Sequence, residues 1–171
     1  MIRFGSATPR QVSLPFAFAC LFIYPLVSLG QGAAEFKASD RAAVEKLLDR
    51  YVRAYSAKDY AALRDCLQAP FVRFPESGWE LMGTLDEVMT YYKNQRDALD
   101  KDKYDHSSFI RSKLTVLSAE RVLVDQVYRR YRKDGSLLLE AGAVYVGCKS
   151  SGTWKVCGTF AHDVKEFGKA H

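Results

Sequence analysis

A chain of 171 residues has the length of one ordinary domain with a short extension, enough to bury a core that does not depend on metals or disulfides. Hydrophobic residues make up 48% and charged residues 26%, the balance of a globular protein. The net charge is +5; without Arg3 and Arg10 of the N-terminal segment, 23 basic residues face 20 acidic ones, too mild a surplus to imply a nucleic-acid partner.

The chain opens with two arginines and no acid. Val12 to Leu29 is an apolar run rich in Leu, Phe, Ala and Val, and Ser28-Leu29-Gly30 supplies small residues where a signal peptidase reads. This predicts a signal peptide over residues 1–30, cleaved near Gly30, and a secreted or periplasmic protein that meets the membrane only during export. An uncleaved anchor is the alternative, although Pro15 and Pro25 interrupt the run. Cys20, after Ala17-Phe18-Ala19, resembles a lipidation site, but the apolar run continues past it. A linker over 31–38, a domain over 39–166 and a tail over 167–171 complete the expected organisation.

Ser39 or Asp40 can cap a first helix, in which Val44, Leu47, Leu48, Tyr51, Val52 and Tyr55 form one apolar stripe. Asp59 can cap a short second helix from Tyr60 to about Leu67, ended by Pro70. Phe71 to Phe74 reads as a strand stopped by Pro75, and Trp79 to Met82 as its hairpin partner. Thr84 and Glu87 form a capping box for a third helix to about Leu99. A charged loop, Asp100 to Asp105, precedes four strands near 107–117, 121–132, 136–148 and 154–164.

Asp134-Gly135 is a two-residue hairpin signal. Closing the turn there sets Arg129 opposite Glu140, an opposite-charge pair that supports the register. Ser151-Gly152 closes the next hairpin in the same way. Alternation then places Val124, Gln126, Tyr128, Ala141, Ala143, Tyr145, Trp154, Val156, Gly158, Phe160 and His162 on one face. Small residues in the middle strand leave a hollow between large, polar-tipped neighbours, as a ligand pocket requires. The other face carries Leu123, Val127, Val144, Val146, Cys148 and Cys157. It is apolar as well and calls for a cover, expected to be a second subunit.

The stretch VEKLLDRYVRAYSAKDYAALRDCLQAPFV (44–72) resembles the opening of SnoaL-like proteins of the nuclear transport factor 2-like superfamily, and GAVYVGCKSSGTWKVCGTFAHDV (142–164) resembles their last two strands. The resemblance implies an α+β cone: three N-terminal helices on a curved, mostly antiparallel sheet around a deep pocket. The superfamily includes ketosteroid isomerases, polyketide cyclases, dehydratases and non-catalytic binding or dimerising modules. Its isomerases carry an aspartate base before a proline on the first strand. Here Phe74 precedes Pro75, and Phe cannot take a proton. A tyrosine of the first helix donates into the pocket in those enzymes, with Tyr51 and Tyr55 as possible counterparts.

The candidate ligand-binding residues are therefore Tyr51, Tyr55, Gln126, Tyr128, Tyr145, Phe160 and His162, with His162 and Tyr128 as candidate catalytic groups because an imidazole titrates near neutrality. Each also has a reading as ordinary core packing. Arg73 reads as a solvated strand position that can alternatively bind an anion. The run from Tyr128 to Lys133 reads as a solvated hairpin end, because alternation splits it between two faces. His106 and His171 carry little signal. Cys148 and Cys157 fall as diagonal neighbours, about 7–8 Å apart, beyond disulfide reach of about 4.4–6.8 Å; a turn at Gly152-Thr153 would bring them opposite. Cys66 reads as a buried free thiol. No CxxC, HExxH, GxSxG or glycine-rich phosphate loop occurs, so neither metal nor cofactor is expected. The leading reading is an exported domain that binds a small, largely apolar molecule and forms a homodimer through its sheet. A proton-transfer enzyme and a filled-cone interaction module are the rivals.

Overall fold

The computed structural model describes residues 35–169. The expected signal peptide over 1–30, most of the expected linker over 31–38, and His171 lie outside the described residues. Helix α1 spans Ala38–Ala57, α2 Tyr60–Cys66 and α3 Leu85–Ala98; strands are β1 Leu67–Phe74, β2 Glu80–Met82, β3 Tyr104–Ser118, β4 Arg121–Arg132, β5 Leu137–Ser150 and β6 Thr153–His162. They form one sheet in the order β2-β1-β6-β5-β4-β3. Every pairing is antiparallel except β1 with β6. This is the α+β cone, with helices on one face of a mostly antiparallel sheet. No described helix is long and apolar enough to cross a membrane.

The stripe of α1 buries Val44, Leu48, Tyr51 and Tyr55 against the sheet. The helix starts two residues earlier than its polar residues suggest, so Asp40 sits in the first turn instead of capping it. Its carboxylate accepts from the Lys37 backbone N–H (3.0 Å), from Lys149 Nζ (2.6 Å) and from Trp154 Nε1 (3.0 Å). The hydrogen bonds from Lys149, Lys37 and Trp154 hold its pKa down at about 2. A carboxylate depressed in the folded state adds stability above its ordinary pKa and loses that contribution as pH falls through the folded value. Asp40→Asn should therefore melt below the wild type at pH 7. The gap should narrow as pH falls from about 4 and close only once pH passes below about 2, as thermal melts across that range would show.

Two further expectations shift. The second helix ends at Cys66, before Pro70, and the chain passes directly into β1, with Pro70 inside the strand after a cis peptide bond. Residues Leu99–Asp102 form a 3-10 turn where a charged loop was expected. The Thr84–Glu87 capping box is in place: the Glu87 N–H donates to Thr84 Oγ1 (3.3 Å) and the Thr84 N–H to Glu87 Oε2 (2.9 Å).

The sheet register decides the site. The β4–β5 hairpin closes over three residues, Lys133-Asp134-Gly135, where two were expected: the Arg132 N–H donates to the Ser136 carbonyl (2.9 Å), the Gly135 N–H to the Arg132 carbonyl (2.9 Å), and Gly135 takes a positive φ of 81°. Tyr131 therefore pairs with Leu137, and a shift between Tyr131 and Arg130 restores the expected register, with Arg129 opposite Glu140 and Nε donating to Oε2 at 2.7 Å. The β5–β6 hairpin turns at Ser151-Gly152, both at positive φ (49° and 78°), and pairs Ser150 with Thr153. That register holds to Gly147 opposite Val156. The next pair is Val146 with Gly158, so Cys157 is an extra residue on β6. Such a bulge reverses the alternation beyond it. Trp154 and Val156 face the helices as expected. Beyond the bulge, Thr159 and Ala161 take that face beside Tyr145 and Ala143, while Gly158, Phe160 and His162 turn to the outer face. The bulge also brings Cys148 and Cys157 to 6.1 Å between Cα atoms, and they are joined in a disulfide. Cys66 is a buried free thiol.

Candidate functional site

The cone holds a cavity of about 100 Å³ between α1, α3 and the concave sheet face. Its wall is unusually rich in tyrosine: Tyr51 and Tyr55 from α1, Tyr91 and Tyr92 from α3, Tyr128 from β4 and Tyr145 from β5. Tyr51 stands edge-on to both Tyr92 (5.8 Å between centroids) and Tyr145 (5.4 Å). These edge-to-face contacts suit the ring quadrupoles and fix the wall. Burial pushes the hydroxyl pKa values of Tyr51, Tyr55, Tyr92 and Tyr145 upward, so they remain protonated near neutrality.

One hydrogen-bond relay runs along the wall. Tyr55 donates to Gln95 Oε1 (3.1 Å), and Gln95 Nε2 donates to the Tyr91 oxygen (2.9 Å). The Tyr91 hydroxyl proton is left free to donate. Two cations also line the cavity. Arg73 donates to Glu80 (3.0 Å) and lies over the Tyr91 ring at 4.8 Å. Arg130 lies 5.4 Å from the Tyr128 centroid and 5.8 Å from that of Tyr55. Among the described residues, no aspartate, glutamate or histidine lines this cavity.

Of the residues singled out from sequence, Tyr51, Tyr55, Tyr128 and Tyr145 meet here. Gln126 shares their face but lines a neighbouring hollow of about 280 Å³ under α1, where Nε2 donates to Ser112 (3.0 Å) and the buried Oε1 has no partner. His162 and Phe160 do not reach the cone, because the Cys157 bulge turns them outward. His162 packs on Gly142, where even a methyl group would overlap the imidazole, and its ring nitrogens are taken up by Asp125 Oδ1 (2.9 Å) and the Asp163 carbonyl (2.8 Å). Tyr128 and His162 therefore lie on opposite faces of the sheet and cannot act as one catalytic pair. Phe160 stacks on Phe74 at 4.5 Å. On β1, Arg73 pairs with cavity-lining Thr159, and Phe74 also lines the cavity.

Arg73, expected as a solvated strand position with anion binding as the alternative, lines the cavity with its side chain 24% exposed, and Arg130, expected at a solvated hairpin end, lines it half-buried. The signal for Arg130 was its separation of two from Tyr128 on a regular strand. His106 is exposed, bonded to Asp105 (2.8 Å) and stacked on Tyr131. No group of three or more metal-binding side chains gathers among the described residues.

A second concavity of about 540 Å³ lies on the outer face among Leu123, Val144, Phe160, His162 and the C-terminal tail. It is larger than the cone, but its polar groups satisfy one another. Asp125 accepts from His162 and from the Gly168 N–H (2.8 Å), Lys113 donates to the Gly168 carbonyl (2.7 Å), and Lys169 pairs with Glu166 (2.9 Å).

Helices over a curved sheet with a pocket between them define the class of cone-shaped α+β proteins, and solved structures of that shape match closely in outline. A protein of unknown function with a cystatin-like fold from Nostoc punctiforme PCC 73102 matches with a TM-score of 0.61 at 11% identity, over 74% of this chain and 92% of that one. An NTF2-like protein from Novosphingobium aromaticivorans matches at 0.60 and 13%, over 77% and 85%. An NTF-2 like protein of unknown function from Shewanella oneidensis MR-1 matches at 0.59 and 15%, over 72% and 98%. At such identities the likeness concerns fold alone. Residues 39–164 match the family described as NTF2-like protein (DUF6841), and the chain belongs to that family. A comparison with curated protein sequences found no match.

Proposed function

We propose that this protein is an exported domain that binds a small molecule inside its cone and performs no isomerase-type proton transfer. The observation that carries the reading is the lining itself: tyrosine hydroxyls and guanidinium groups converge on an unfilled cavity that no carboxylate or imidazole reaches. Hydroxyls held protonated by burial donate hydrogen bonds but do not abstract protons. The rival enzyme reading depended on His162 acting with Tyr128, which the sheet now separates. The disulfide between Cys148 and Cys157 supports export, since such bonds persist in oxidising compartments. A second copy of the chain covering the outer sheet face remains part of the reading, supported by the exposure of Phe160 there; the molar mass in solution tests it separately.

The binding reading is tested by titrating purified protein with a panel of neutral and charged fragments of up to about six heavy atoms, followed through the ring signals of its tyrosines. Binding should shift Tyr51, Tyr91, Tyr128 and Tyr145 together while Phe160 and His162 stay put. A panel that moves only Phe160 and His162, or nothing, would refute it.

A further inference from the structure

Arg96 is buried and Arg130 is half-buried with its Nε enclosed, and the two differ in one respect. Arg96 is 5% exposed and fully engaged: it donates to the Ser56 carbonyl (3.3 Å) and to Asp100 (2.8 Å), and it lies over the Tyr104 ring at 4.4 Å. Arg130 has no such partners. Its Nε is buried without a hydrogen bond, and neither an ion pair nor a side-chain hydrogen bond reaches its guanidinium among the described residues. Only the faces of Tyr55 and Tyr128 attend it. A guanidinium drawn partly from water, with one N–H enclosed and unbonded, is costly without an anion, and a cation–π contact of about 0.5–2 kcal/mol offsets only part of that. Such a group is retained where something else supplies the charge.

The rest of the cavity agrees in sign. Tyr91 has its oxygen filled by Gln95 and its proton free, and Arg73 adds a second positive charge. Glu80, which Arg73 bonds at 3.0 Å, does not itself line the cavity. The wall is thus rich in donors and lacks an ionised acceptor. Phe109 and Ala143 contribute apolar surface beside them. A void of about 100 Å³ is smaller than the ~150 Å³ cavity that takes up benzene, so it fits a group of roughly four to six heavy atoms.

We propose that the cone binds a small organic carboxylate, its oxygens received by Arg130 and Tyr91 and its hydrocarbon part lying on the tyrosine rings. This rests on the binding reading above and revises the largely apolar ligand expected from sequence: the acid end is the part recognised.

The probes are butyrate and its neutral isostere butyramide, titrated into purified protein and followed at the Arg130 Nε–Hε signal and by calorimetry, with Arg130→Met as the paired variant. Butyrate should bind at least tenfold more tightly than butyramide and shift the Arg130 signal. The variant should lose at least tenfold in butyrate affinity. Without ligand it should melt higher than the wild type, because an uncompensated charge has been removed; a merely structural arginine would give the opposite shift. Arg130→Gln, also uncharged but polar, serves if the methionine variant does not fold. Equal binding of the two probes would overturn the carboxylate proposal and leave the pocket standing. Binding of neither, at concentrations up to tens of millimolar, would overturn both. Inorganic phosphate binding as tightly as butyrate would show a plain anion hole and also overturn the proposal.

Discussion

Phe71→Ala is expected to destabilise the protein by about 3–5 kcal/mol, the usual cost of removing a fully buried aromatic ring. Phe71 is fully buried on β1 and stands edge-on to Tyr92 at 6.0 Å between centroids. Its contact with Tyr92 helps to seat α3 on β1, beside that of Arg73 with Tyr91. Domains of this kind have about 5–15 kcal/mol in total, so the variant should be marginal at 37 °C. The urea midpoint should fall with little change in slope, as expected when packing is lost without altering the surface exposed on unfolding. A loss below about 1 kcal/mol would mean that the ring is not enclosed as described.

Trp154→Ala should cost a similar amount, about 3–5 kcal/mol. The indole is 5% exposed and packs edge-on against Phe36 at 5.9 Å. It also carries the hydrogen bond to Asp40 that ties β6 to the first turn of α1 across 114 residues of sequence. Trp154→Phe separates the two contributions. It keeps an aromatic ring and removes the donor, leaving Asp40 with Lys149 and Lys37, and should cost about 1.5–3 kcal/mol, the range for a hydrogen bond to a charged group. Equal losses in the two variants would assign the whole effect to the hydrogen bond and none to packing.

Much of this architecture was legible in the sequence because its signals are local. The apolar stripe of α1, the Thr84–Glu87 box and the hairpin signal at Asp134-Gly135 each concern a few neighbouring residues; the structure has the first two as read and closes the hairpin there with one residue more than expected. The Arg129–Glu140 pair carried the register correctly from Arg130 opposite Leu139 to Arg121 opposite Cys148. What local signals do not encode is a change of register midway along a strand. The turn at Ser151-Gly152 was read correctly, yet one residue inserted at Cys157 moved Phe160 and His162 to the far side of the sheet. The two cysteines marked the place: their separation across a regular ladder was too long for a disulfide, and a bulge, not a displaced turn, brings them within reach. Arg130 was overlooked for a different reason. A basic residue near a hairpin end is usually solvated, and only the neighbouring Tyr128, already assigned inward, argued otherwise.

The central claim is that residues beyond Cys157 reverse their facing, so that the cone is a chamber of tyrosines and arginines without a histidine. Nuclear Overhauser contacts from the Ala161 methyl group test it most directly. The account predicts contacts to side chains of the cone wall, with the His162 ring protons instead close to the Gly142 α-protons. Contacts from the His162 ring to Tyr128 or Tyr145 would contradict it and return the imidazole to the cavity.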